Sequence, residues 1–73
     1  MPGEREAAER FARAVADSMT RLRGFTPGSV PAAVRDDVFA TMARHEARYV
    51  TGFARGENPD AVAQQLQDAE WDG

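Results

Sequence analysis

The stretch PAAVRDDVFATMARHEARYVTGFAR, residues 31–55, decides the fold class of this 73-residue chain. Its apolar residues recur at helical spacing and, at 100° per residue, form a continuous arc of roughly 200°. One neighbouring helix does not cover so wide an arc, so we expect a long helix over about residues 30–55 that is packed on two sides. The members of the arc are Val38, Phe39, Ala40, Met42, Ala43, Ala47, Tyr49, Val50, Phe53 and Ala54.

Glu46 interrupts this arc, between Phe53 and Phe39 on the helical wheel. No basic residue lies three or four positions from it, so its own helix offers no counter-charge. A carboxylate in the middle of an apolar face needs a partner from elsewhere. We therefore predict that Glu46 is a buried charge, paired with an Arg of the first helix or of a second subunit. A place at an interface edge and an acid–base or ligand-binding role remain open.

Two further helices flank this segment. The first is predicted over about residues 4–23, with one apolar and one charged half, and Gly24 ends it. A turn at residues 25–29 leads to Ser29, which we expect to cap the long helix.

A third, short helix is predicted over about residues 59–70. Gly56 stops the long helix, and Asn58, Pro59 and Asp60 have the order of an N-cap, a first-turn proline and a first-turn acid. Its apolar stripe is expected to consist of Val62, Leu66 and Ala69.

The predicted fold is all-α, a single small helical domain spanning residues 1–73. A chain of this length buries only about 60% of its unfolded surface and is marginally stable alone. It has no Cys and a single His, so neither disulfides nor a metal ion is expected to reinforce it. We therefore expect a long helical hairpin plus a short C-terminal helix that packs as a bundle with a second subunit, as a homodimer or in a heterocomplex.

Charge and composition narrow the function. The net charge is −3, and residues 56–73 carry five acids and no basic residue, which makes nucleic acid an unlikely ligand class. No apolar run approaches the ~20 residues of a membrane helix, so we expect a cytoplasmic protein. All nine basic residues are Arg, and with abundant Ala this composition is typical of a GC-rich bacterial or phage genome.

Arg44, Arg48 and Arg55 lie on the polar strip of the long helix. They are candidates for binding an acidic partner, because guanidinium groups bind carboxylates with two hydrogen bonds, although an ordinary solvated face is the simpler interpretation. Trp71 falls off the stripe of the third helix. We favour a side chain folded back onto the core, with an aromatic anchor for a partner as the alternative.

His45 and Tyr49 are predicted at the boundary between the polar and apolar faces. His45-Glu46 resembles the start of a zinc-protease helix motif, but the second His is missing and Tyr49 lies on a nearby turn instead. No nucleophile–base pair, phosphate loop or cofactor fingerprint is present, so no catalytic residue, metal, cofactor or small-molecule substrate is expected.

The sequence thus predicts a small protein–protein interaction module acting through helical surfaces, as a regulator, adaptor or accessory subunit. The alternatives are a DNA-binding regulator of helix-turn-helix type and a small enzyme with an interface site around Glu46 and His45. In the helix-turn-helix interpretation, the third helix would present Asp60, Asp68 and Glu70 to DNA phosphates and no Arg.

Overall fold

The computed structural model describes residues 2–72 and contains four α-helices and one short 3-10 turn. Met1 and Gly73, the two ends of the predicted domain, lie outside the described residues. The all-α prediction is confirmed. The helix count is wrong, because the predicted long helix is two helices. The elements are α1 (Pro2–Leu22), a 3-10 turn (Pro27–Ser29), α2 (Ala32–Arg44), α3 (Glu46–Ala54) and α4 (Pro59–Asp72).

The break between α2 and α3 lies at His45, whose backbone leaves the helical region at φ −116° and ψ 29°. The His45 N–H still bonds to the Thr41 carbonyl at 3.1 Å, and the His45 carbonyl accepts from Arg48 N–H at 3.0 Å. Neither Pro nor Gly causes the break. After the break, α3 contacts both α4 and α1.

Two glycines end helices in the same way. Gly24 (φ 89°) follows α1 and Gly56 (φ 68°) follows α3, both in the left-handed region that glycine adopts without steric cost. The next residue in each case donates to a carbonyl five positions back, Phe25 to Thr20 at 3.1 Å and Glu57 to Gly52 at 2.9 Å. These are Schellman motifs. Both predicted helix ends are confirmed.

Of the two predicted N-terminal caps, one is confirmed and one is wrong. The Asn58 side chain accepts from the Asp60 N–H at 2.8 Å, which confirms the predicted cap of α4. The predicted cap by Ser29 is wrong. Ser29 belongs to the 3-10 turn, and α2 begins at Ala32 after Pro31 without a side-chain cap.

The core is formed by α1, α2 and α4. Its buried side chains are Val15 and Met19 from α1, Val38 and Met42 from α2, and Val62, Ala63 and Leu66 from α4. Ala63 takes the place predicted for Ala69, which is exposed. Helices α1 and α4 make the most extensive contact, so α2 and α3 lie at the side of an α1–α4 pair and not between two layers.

Gly52 brings α3 against α4. A Cβ atom at this position would lie 2.8 Å from Val62 Cγ2, so a side chain here would require the buried Val62 side chain or its helix to shift. The α3–α4 packing distance therefore depends on the absence of a side chain at Gly52.

Candidate functional site: an uncovered apolar face of α2–α3

One face of α2 and α3 is apolar and open to solvent. Phe39 is 54% exposed and Val50 is 50% exposed, although large apolar side chains are normally covered. Three alanines between and beside them are also exposed. We call this surface the α2–α3 outer face; it consists of Phe39, Ala40, Ala43, Ala47 and Val50.

The outer face continues into a groove beside α1. The groove has a volume of about 560 Å³ and lies between α1 on one side and α2 and α3 on the other. Its small and apolar lining residues are Ala12, Ala16, Phe39, Met42, Ala43 and Tyr49. Its rim carries Arg13 and Asp17 on α1 and Glu46 on α3. None of these three has an ion pair within 4.0 Å among residues 3–71, whose side chains the structure describes. An apolar floor with a charged rim is the form of surface that receives a helix from another chain.

Glu46 is exposed, so the prediction of a buried charge is wrong for the chain by itself. The expectation assumed that the centre of the apolar arc was covered on both sides. In the structure α2 and α3 lie at the periphery, and Glu46 sits at the open edge of the outer face. It is also the first residue of α3, where a carboxylate interacts favourably with the positive end of the helix dipole.

His45 and Tyr49 are both half-buried, and they face different neighbours. Tyr49 lines the groove beside α1 with Glu46, whereas His45 Nε2 lies 3.3 Å from Glu70 Oε1 on α4. The structure therefore does not bring His45 and Glu46 together into one site.

Two of the three predicted partner-binding arginines are occupied within the chain. Arg44 Nε donates to Glu70 Oε1 at 2.9 Å, and Arg48 Nη2 donates to Glu57 Oε1 at 2.8 Å. Arg48 also donates to Gln65 on α4. Arg55 is exposed. Arg44 thus links α2 to α4, and Arg48 links α3 to α4 and to the loop before α4.

Glu70 is the acceptor at the centre of this contact. The hydrogen bond from Arg44 is the largest cause that lowers the pKa of the Glu70 carboxyl below its ordinary value of 4.5. Partial desolvation raises this pKa. The charge of Arg44 and the contact with His45 lower it further. The Glu70 carboxylate thus links α4 to the α2–α3 junction through Arg44 and His45.

A small polar cleft of about 300 Å³ lies beside this contact. Thr41, which is 1% exposed, accepts hydrogen bonds there from Arg23 at 3.3 Å and Arg44 at 3.2 Å. Each guanidinium has a carboxylate of its own, Arg23 with Asp37 and Arg44 with Glu70, so the cleft offers no surplus positive charge to an anion.

Trp71 lines this cleft but is 79% exposed. The interpretation of Trp71 as a core residue is therefore wrong. The last core residue of α4 is Leu66, five residues earlier, and Trp71 lies beyond it.

Sequence reasoning placed Phe39 and Val50 in the arc but not at a site, because it expected both sides of the arc to be covered. The width of the apolar arc was the feature of the sequence that could have indicated this site, because the arc is wider than the surface that the other helices of this chain cover.

Among the described residues, no group of three or more His, Cys, Asp or Glu side chains is placed to hold a metal ion. No helix within residues 2–72 has the length and apolar character needed to cross a membrane. Comparison of the chain with protein-family models, with curated proteins and with solved structures found no match.

Proposed function

We propose that this protein is a small protein–protein interaction module, a regulator, adaptor or accessory subunit, that binds a helix of its partner on the α2–α3 outer face. The observation that carries the proposal is the exposure of Phe39 on α2 and Val50 on α3, together with an apolar groove that Phe39 and Ala43 line. A contiguous apolar patch left exposed on a soluble protein is a mark of an interaction site. A helix laid along this face would complete the two-sided packing that the apolar arc predicts.

The two other functions have less support. A DNA-binding helix-turn-helix would use α4, whose exposed positions include Asp60, Gln64 and Asp68 and would face phosphates with carboxylates. An enzyme with an interface site needs Glu46 and His45 in one place, and these side chains face α1 and α4 respectively.

A site-specific cross-linker tests the proposal. Ala43 is replaced by the photoreactive residue benzoylphenylalanine, and the full chain is irradiated in the cells that express it natively. Gln64, exposed on α4, carries the same group as the matched control. We expect a protein adduct from position 43 that is absent from position 64 and is lost when Phe39→Glu is added. Equal adducts from both positions, or an adduct that survives Phe39→Glu, would contradict the proposal.

A further inference from the structure

The residues around the break at His45 favour a helix by their own composition. Residues 43–48 read Ala-Arg-His-Glu-Ala-Arg, with no Pro, no Gly and no β-branched residue. Alanine, arginine and glutamate are among the residues with the highest helix propensity. Local preference therefore favours one continuous helix where the folded chain has two, and this conflict points to a tertiary interaction that imposes the break.

The backbone at the break replaces α-helical hydrogen bonds with shorter-range ones. Arg48 N–H donates to the His45 carbonyl, three positions earlier, at 3.0 Å, and His45 N–H donates to the Met42 carbonyl at 3.1 Å. In a continuous helix the Arg48 N–H would donate to the Arg44 carbonyl instead. The Met42 carbonyl would accept from the Glu46 N–H. Bonds over three positions have poorer geometry than bonds over four, so joining the two helices improves the backbone hydrogen bonds around His45.

Side chains on both sides of the break bond to α4 and to the loop before it. Arg44 Nε donates to Glu70 Oε1 at 2.9 Å, and His45 Nε2 lies 3.3 Å from the same oxygen. Arg48 Nη2 donates at 2.8 Å to a carboxylate of the loop before α4, and it also donates to a glutamine of α4. All three acceptors lie outside the buried core. We call them the latch residues, and they are Glu57, Gln65 and Glu70.

We infer that the break at His45 is a conformational latch: the latch residues hold α2 and α3 apart, and when their contacts are released residues 32–54 form one continuous helix. Contacts between partly exposed charged side chains contribute little each, so a ligand or partner of α4 that competes for them opens the latch at low cost. The inference concerns the chain by itself and does not depend on the proposed function.

The latch also sets the shape of the groove beside α1. Helix α3 contacts α1 through Phe53, whose ring centroid lies 5.6 Å from that of Phe11. Glu46 and Tyr49 of α3 line the groove, and no residue of α4 lines it. A continuous helix would carry α3 along the axis of α2 and away from these contacts. The groove therefore keeps its α3 side only while the latch is closed, and α4 controls a surface that it does not form.

Replacing the latch residues tests the inference on the full chain. The variant Glu57→Ala/Gln65→Ala/Glu70→Ala removes the three acceptors and leaves the core side chains unchanged. Carbon-13 chemical shifts report the backbone conformation of each residue in solution. We expect the His45 Cα shift to be non-helical in the wild type and to move into the helical range in this variant. Exchange of the Glu46 amide hydrogen with solvent should become slower, because the amide gains the Met42 carbonyl as its acceptor.

The matched control changes the same residue types on the exposed side of α4. Among residues 3–71, no side-chain hydrogen bond or ion pair joins these three residues to α2 or α3. The His45 shift should therefore stay as in the wild type. The control variant is Asp60→Ala/Gln64→Ala/Asp68→Ala.

Three results would overturn the inference. His45 that stays non-helical in the triple variant would show that the break is encoded locally. Loss of helical shifts over residues 46–54 would show that α3 unravels instead of joining α2. The same His45 shift in the control would show that the latch residues are not its cause. If the triple variant does not fold, Glu70→Ala alone decides: a smaller His45 shift in the same direction supports the latch, and an unchanged resonance overturns it.

Discussion

His45 Nε2 lies 3.3 Å from Glu70 Oε1, and Arg44 Nε donates to the same oxygen from 2.9 Å. This one oxygen therefore joins the C-terminal end of α2, the break between α2 and α3, and the last turns of α4. The carboxylate of Glu70, near the C-terminal end of the chain, thus contacts His45, the residue at which the helix breaks.

The first prediction concerns Glu70 and pH. The pKa of its carboxyl is lowered in the folded chain, mainly by the Arg44 hydrogen bond, so its stabilisation is complete above the unfolded pKa near 4.5. This stabilisation is lost as the pH falls through the pKa that Glu70 has in the folded chain, which is lower than its pKa in the unfolded chain. Glu70→Gln should reduce the melting temperature at pH 7, and the difference from wild type should shrink below pH 4.5. Melts from pH 3 to 7 measure this, with Asp36→Asn as control; a constant difference would contradict the assignment.

The second prediction concerns Glu46. Because its side chain is exposed, Glu46→Gln should change the free energy of unfolding of the monomer by less than about 0.5 kcal/mol. Urea denaturation at a concentration where the chain is monomeric is the measurement. A loss of several kcal/mol would show that the carboxylate is buried against an Arg after all.

The third prediction concerns Gly52. Alanine favours a helix over glycine by about 1 kcal/mol, so Gly52→Ala would stabilise α3 if space allowed. The added Cβ would lie 2.8 Å from Val62 Cγ2, so we expect a net destabilisation of about 1–3 kcal/mol. Gly28→Ala, with nothing within 4 Å of the added atom, is the control. A more stable Gly52→Ala variant in urea would mean that α3 and α4 separate freely.

The fourth prediction compares Arg48 with Arg55. Arg48 links α3 to Glu57 and to Gln65 on α4, and its side chain is 34% exposed, whereas Arg55 is exposed. Arg48→Ala should cost up to about 1 kcal/mol of unfolding free energy. Arg55→Ala should cost less than about 0.5 kcal/mol. Thermal and urea unfolding give both values, and equal effects would mean that the Arg48 contacts contribute nothing.

The fifth prediction concerns Trp71, the only Trp in the chain. Its indole is 79% exposed, so the emission should resemble that of indole in water and be quenched readily by acrylamide. Trp71→Ala should change the free energy of unfolding by less than about 0.5 kcal/mol. A blue-shifted, protected emission in the monomer would contradict the exposed position.

The sequence alone determined the features that depend on a few neighbouring residues. Gly24 and Gly56 end helices, and Asn58 caps α4, because each satisfies backbone groups within five residues of itself. The helical class follows in the same way from local spacing of apolar residues. These interactions require no knowledge of how the helices pack.

Only the tertiary structure decided the break at His45, the exposure of Glu46 and the position of Trp71. Neither Pro nor Gly lies at the break, and the residue where it occurs, His45, contacts a carboxylate of α4. Glu46 is exposed because α1 and α4 pack together and leave one side of α2 and α3 uncovered. Trp71 is exposed because it lies beyond Leu66, the last core residue of α4. Helical periodicity shows which residues share a face, but which faces are covered depends on contacts between residues far apart in the chain.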